Sequence, residues 1–177
     1  MGAGILPFCF INKKLYFLFG KERNIDDNPG WSDFGGGTDK NETYLQTATR
    51  ECSEEISGFL GSEKELTHHL KNKGYLNVFL PNVKNKHKGY MVFLTPIVYD
   101  PSLTLYFNRY QNFIQHNLDK SIIRKSKLFE KTEIKWFSFE DIAKNKSKFR
   151  QFYRKIINVL LENKNFIIED CQNLISK

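Results

Sequence analysis

The chain has 177 residues, 40% apolar and 27% charged, with 16 Phe, 8 Tyr and 2 Trp. That is the size and composition of one globular domain, 1–177, and it excludes a wholly disordered chain. The net charge of +7 is uneven: residues 1–60 hold 6 basic and 9 acidic groups and residues 61–177 hold 21 and 11, so the basic part is the one suited to an anionic substrate or a nucleic acid.

Gly4–Ile11 and Leu15–Gly20 are short apolar and aromatic runs around Asn12-Lys13-Lys14, the pattern of a β-hairpin. Residues 21–33 are polar, with Pro29 and Gly30, and read as a loop. Gly35-Gly36-Gly37 reads as irregular backbone, residues 43–56 as a helix and Ser62–Lys73 as a weaker one. Tyr75–Val83 and Tyr90–Tyr99 read as strands joined by the basic turn Lys84-Asn85-Lys86-His87-Lys88. Leu103–Leu118 reads as a helix and Ile134–Phe139 as a strand. In Lys148–Asn163 the residues Phe149, Phe152, Tyr153, Ile156, Ile157, Leu160 and Leu161 make one apolar helical stripe, with Arg150, Arg154 and Lys155 on a solvated basic face. This order of elements predicts an α/β fold with a mixed sheet between helices.

Cys9, Cys52 and Cys171 are odd in number and form no CxxC pair, so they read as reduced thiols of a cytoplasmic protein. No basic n-region precedes Gly4–Ile11. No apolar run approaches the ~20 residues that span a bilayer. Secretion and membrane insertion are therefore not expected. His68 and His69 have no metal-ligand partners at useful spacing and read as surface.

The informative stretch is GGGTDKNETYLQTATRECSEEISG, from Gly35 to Gly58. On a helix, Glu51, Glu54 and Glu55 share one arc of about 100°, and Leu45, Ala48, Cys52 and Ile56 lie beside it. One face is buried, and carboxylates crowd its border. Like charges at such spacing repel by a few tenths of a kcal/mol, and a hard divalent cation removes the repulsion; oxygen-only ligands suit Mg²⁺ or Mn²⁺, not Zn²⁺. Arg50, four residues before Glu54, is placed to orient that carboxylate, and Glu42 stands at the positive end of the helix dipole. The preceding glycines let the backbone approach a cation and an anionic ligand closely.

The same residues resemble the signature of the Nudix hydrolases, GX5EX7REUXEEXGU, where U is a bulky apolar residue. Gly36, Glu42, Arg50-Glu51, Cys52 and Glu54-Glu55 fall in step with it. The approach WSDFGG and the later EIKWFSFEDI are also similar to the family. The pattern departs at its end, where Ser57 replaces Gly and Gly58 stands in place of U; Gly58 is expected to end the helix one residue late, with Phe59 in the apolar place. Gly35 stands where many members have Pro.

The resemblance implies an α/β/α sandwich that hydrolyses a nucleoside diphosphate linked to another group. It implies that Glu51, Glu54 and Glu55 hold Mg²⁺ or Mn²⁺ with the Gly36 carbonyl, and that Arg50 orients the glutamates. A glutamate then helps a water attack phosphorus. A further glutamate from a downstream loop completes such sites: Glu130 is the first candidate and Glu133 the second.

Substrate cues are few. Nucleoside triphosphates, dinucleoside polyphosphates and nucleotide sugars all suit a small-molecule enzyme of this kind. The basic second part also permits an RNA partner, as in cap-removing or other RNA 5′-end enzymes. A Nudix-fold nucleotide-binding module without catalysis is the third reading, although such modules usually lose glutamates that this chain keeps. Trp31 is a candidate for stacking on a base or for packing. Tyr75, 17 residues after Gly58, is a candidate substrate contact by resemblance to dinucleoside polyphosphate members.

Overall fold

A computed structural model describes residues 1–23, 29–83, 85, 88–126 and 129–176. Its centre is β1 (Gly2–Ile11), whose residues 2–9 are all buried. A strand covered on both faces needs such an unbroken small and apolar run. β1 turns into β2 (Lys14–Glu22) through Asn12 and Lys13, at φ 50° and 65°. Two consecutive left-handed residues match the twist of a two-residue hairpin.

β1 pairs in parallel with β6 (Gly89–Pro96), which pairs antiparallel with β5 (Leu76–Pro81). On its other side β1 pairs antiparallel with β2 and with β4 (Phe34–Gly37). β2 continues onto β3 (Trp31–Ser32) and β7 (Lys131–Ser138), completing a mixed seven-stranded sheet.

Period-two alternation sends side chains to two cores. Ala3, Ile5, Leu18, Phe34 and Ile134 pack under α1 (Tyr44–Glu55), α2 (Glu63–Lys73) and α3 (Pro101–Asn117), through Ala48, Cys52, Leu66, Leu70 and Phe107. Leu6, Phe8, Phe17, Phe19 and Phe137 pack against α5 (Phe139–Lys144), α6 (Arg154–Glu162) and α7 (Lys164–Ile175). A short α4 (Lys120–Lys125) follows α3. The expected α/β/α sandwich with a mixed sheet is therefore the observed fold. All three cysteines are buried and unpaired. Among the described residues no helix is long and apolar enough to cross a membrane.

Four expectations need correction. Gly35–Gly37 is not irregular but forms most of β4, because Gly2 and Gly4 lie opposite. A Cβ at Gly35 would run into the Gly4 Cα and the Ala3 carbonyl, so only glycine allows the two backbones so near. Residues 21–33 are not all loop: Lys21 and Glu22 extend β2, and Trp31–Ser32 pair back onto it. The last apolar stripe is helical only from Arg154. Before it, Phe149 is bridged to Trp31 and the Arg150 N–H donates to the Trp31 carbonyl at 3.0 Å, which pulls that segment out of helical register. The expected basic face is not wholly solvated either, as Arg150 bonds to a buried glutamate described below.

The end of α1 differs too. Ser57 itself takes the left-handed conformation, φ 51°, and Gly58 follows at φ 73°. Phe59 packs edge-on against Phe107 at 5.4 Å. A side chain at a left-handed position costs roughly 1–2 kcal/mol. Ser57→Gly is expected to raise the unfolding free energy by about 1 kcal/mol, read from urea denaturation midpoints at unchanged slope.

Candidate functional site

α1 starts at a capping box, with Thr43 accepting from the Gln46 N–H and Gln46 closing back on Thr43. This fixes the helix just after the glycine strand, so that Glu51 and Gly36 meet. A Cβ at Gly36 would lie 2.6 Å from the Glu51 carboxyl carbon. Gly36 is thus a cradle that any larger residue would fill.

Arg50 organises the outer carboxylates. Its Nε donates to Glu42 Oε1 at 2.7 Å and its Nη2 to Glu42 Oε2 at 3.0 Å. Its Nη1 donates to Glu51 Oε1 at 2.8 Å and lies 3.5 Å from Glu54 Oε2. The fork geometry of a guanidinium serves this; a lysine would offer one point charge. Arg50, with the Asp39 N–H and the Thr47 hydroxyl, holds the Glu42 carboxyl down at about 2. Glu54 Oε2 is buried and accepts no hydrogen bond from any described residue. A buried carboxylate oxygen without a donor is costly unless a cation completes it.

The inner carboxylates form a second group. Glu55, the last residue of α1, is buried, and its Oε2 accepts the Gly35 N–H at 2.8 Å. Oxygens of Glu22, Glu55 and Glu130 all lie within 4.8 Å of one another. Lys131 has no exposed surface; its Nζ donates to Glu22 and, at 2.8 Å, to Ser32 Oγ, and lies 3.4 Å from Glu55 Oε2. Burial lowers the Lys131 pKa, but Glu55 and Glu22 outweigh this and leave it above its ordinary value. Burial, opposed by Lys131, raises the Glu55 carboxyl well above its ordinary range. Arg150 Nη1 donates to Glu22 Oε1 at 2.6 Å.

Beside Gly36 and Gly37 opens a cavity of about 930 Å³, lined further by Leu80, Lys88, Tyr90, Arg150, Phe152 and Lys155. The Arg150 guanidinium stands 5.1 Å from the Phe152 ring centre. The cavity therefore has a cationic side and an aromatic side, and Arg150 links it to Glu22.

The structure brings Gly36, Arg50, Glu51 and Glu54 together, and Glu55 joins Glu130. Glu133 lies apart from that cluster, 3.3 Å from Lys21 and half-exposed. Trp31 is buried, 5.0 Å from Phe137 in the core, and does not line that cavity. Tyr75 precedes β5, at the end opposite the cavity-lining Leu80, and packs edge-on against Phe93 at 5.1 Å. Lys84, Lys86 and His87 of the basic turn lie outside the described residues. Glu22 and Lys131 are participants that sequence reasoning missed. Glu22 continues the face of Leu18 and Gly20 at period two, a signal in the sequence; Lys131 carries none.

The sequence profile of the NUDIX domain matches residues 3–160. The chain belongs to the NUDIX family. Its class is that of the Nudix pyrophosphohydrolases. A curated viral relative, uncharacterized protein L534 of Acanthamoeba polyphaga mimivirus, is 45% identical over 58 residues, which span 31% of this chain and 19% of that protein. Two solved structures share the fold. One is a binary complex of the Caenorhabditis elegans Ap4A hydrolase, at TM-score 0.53 and 17% identity, covering 94% of this Nudix chain and 98% of that one. The other is RenU, a Nudix hydrolase of M. smegmatis, at TM-score 0.54 and 13% identity, covering 94% and 86%.

Proposed function

We propose that this Nudix chain hydrolyses a pyrophosphate bond in a nucleoside diphosphate-linked substrate with the help of Mg²⁺ or Mn²⁺. The observation that carries this is the outer cluster, where Glu42, Glu51 and Glu54 share one guanidinium and Glu54 leaves a buried oxygen without a hydrogen bond. An all-oxygen donor set beside a glycine cradle fits a hard divalent cation. Glu51 and Glu54 would hold it with the Gly36 carbonyl, with Glu55 and Glu130 standing behind them on the inner side of the site. When bound, the cation supplies charge neutralisation at the phosphates and acidifies the attacking water.

The protein's own groups do the rest. Arg50 holds Glu51 and Glu54 aimed at one place. A glutamate of the cluster accepts the proton of the attacking water, a role worth about 10²–10⁴-fold in rate. Lys88, Arg150 and Lys155 line the cavity and draw in the phosphate chain, while Tyr90 and Phe152 offer apolar surface to a base or sugar. At about 930 Å³ the cavity lies near the upper end of small-molecule sites, which suits an extended substrate such as a dinucleoside polyphosphate or a nucleotide sugar.

The test is a panel of nucleoside triphosphates, dinucleoside polyphosphates, nucleotide sugars and capped RNA, incubated with Mg²⁺ and analysed by mass. Cleavage of one class, abolished by EDTA, is expected. Intact substrates throughout, with either Mg²⁺ or Mn²⁺, would favour a silent binding module instead.

A further inference from the structure

Two features of Lys131 go beyond an ordinary salt bridge. Its ammonium is wholly buried among Glu22, Ser32 and Glu55, at the place where three carboxylates could surround an ion. Its stem is also provided for: a Cβ at Gly20 would lie 2.8 Å from Lys131 Cδ, so glycine on β2 makes the room. The register makes the meeting possible. Glu133 pairs with Lys21 and Lys131 with Glu22, so the ladder skips Thr132 and turns Lys131 towards α1.

Charge divides the carboxylates unevenly. On the inner side Glu22 accepts from two cations, Lys131 and Arg150. On the outer side Glu42, Glu51, Glu54 and Asp39 all lie within 3.7 Å of the one Arg50 guanidinium. A divalent ion is needed outside and is opposed inside, where it would meet an ammonium. Arg150 is 22% exposed at the cavity, whereas Lys131 is fully enclosed. Arg150 has a path to a substrate phosphate; Lys131 has none.

We propose that the Lys131 ammonium is a built-in cation filling the inner place of the carboxylate cluster, so that the substrate-free protein takes one divalent ion, on the Glu51–Glu54 side. This rests on the proposed metal-dependent reading of the site. Lys131 is a positioning residue: it holds Glu22 and Glu55 and sets how many ions bind, without touching substrate.

The experiment is Mn²⁺ binding without substrate, read from the free-ion signal in electron paramagnetic resonance, on wild type, Lys131→Met and the double variant Glu22→Gln/Lys131→Met. Wild type is expected to bind one Mn²⁺ per chain and Lys131→Met two. The double variant, which loses an inner ligand with the ammonium, is expected to return to one. Lys131→Met is also expected to melt lower in EDTA, and to gain more in Tm from saturating Mn²⁺ than wild type does, because an ion that binds only the folded state stabilises it. Equal stoichiometry in wild type and Lys131→Met would overturn the proposal. So would a Lys131→Met chain that stays unfolded at millimolar Mn²⁺ while the double variant folds. A wild type that binds no Mn²⁺ would instead sink the metal-dependent reading on which the proposal stands.

Discussion

Glu54→Gln is expected to lower turnover of the cleaved substrate by about 10³-fold, within the range of a positioned acid–base or charge-stabilising group. The fold is expected to survive. Glu54 lies at the border of α1, its side chain 31% exposed, and makes no hydrogen bond at Oε2 that the exchange would break. Removing one of several like charges on that arc relieves repulsion of a few tenths of a kcal/mol, about what the 3.5 Å pairing with Arg50 contributes, so the melting temperature should hold. Glu130→Gln should also lose activity, because Glu130 sits with Glu22 and Glu55. Glu133→Gln should not, because Glu133 pairs with Lys21 outside the cluster. Steady-state rates with circular dichroism on the same samples check all three. An active Glu54→Gln would show that Glu54 is not part of the chemistry.

The second large effect concerns stability. Asp33 is buried under the glycine strand; the Tyr90 hydroxyl donates to its Oδ1 at 2.9 Å, and its Oδ2 has no hydrogen-bond partner among the described residues. Burial raises its pKa from 3.8 to about 7, although Lys131 and Tyr90 pull it down. Between these two values the folded chain keeps a proton that the unfolded chain has released. Stability contributed by the protonated form is therefore present at acid pH and is lost as pH rises towards 7. At about 1.4 kcal/mol per pKa unit the loss from this group approaches 4 kcal/mol. Asp33→Asn, which keeps an acceptor for Tyr90 and carries no charge, is expected to flatten this slope and to be more stable than wild type at pH 8. Urea midpoints of both proteins between pH 4 and 8 measure it. A wild-type slope that Asp33→Asn does not change would show that Asp33 titrates normally.

Local patterns made much of the scaffold legible. The hairpin follows from two aromatic runs around Asn12 and Lys13, and α1 from its apolar spacing behind Thr43. The outer site was legible for the same reason, since Glu51, Glu54, Arg50 and Gly36 are close in sequence and their geometry is that of one helix and the strand before it. What was hidden depends on pairings between distant segments. Gly35–Gly37 is a strand because Gly2 and Gly4 face it, which no local window shows. Lys131 reaches Glu22 across 109 positions of chain, after a slip in the ladder. Arg150 looked like a solvated helix face until Trp31 pinned its backbone and Glu22 took its side chain. Trp31 beside the glycines was open to two roles, stacking on a base or packing, and it fills the core against Phe137. Ser57 shows a signature position whose backbone geometry outlasts its residue type, since serine adopts the left-handed turn where glycine is usual.

The most direct test of the central claim is hydrolysis in H₂¹⁸O with Mg²⁺, using the nucleotide panel and mass analysis of the products. The account predicts one ¹⁸O per turnover in a phosphate group of one product, dependent on the divalent ion and lost in Glu54→Gln. Folded, Mn²⁺-binding protein that incorporates no label from any nucleotide would contradict it, and would leave the cluster as a cation and ligand site without pyrophosphate chemistry.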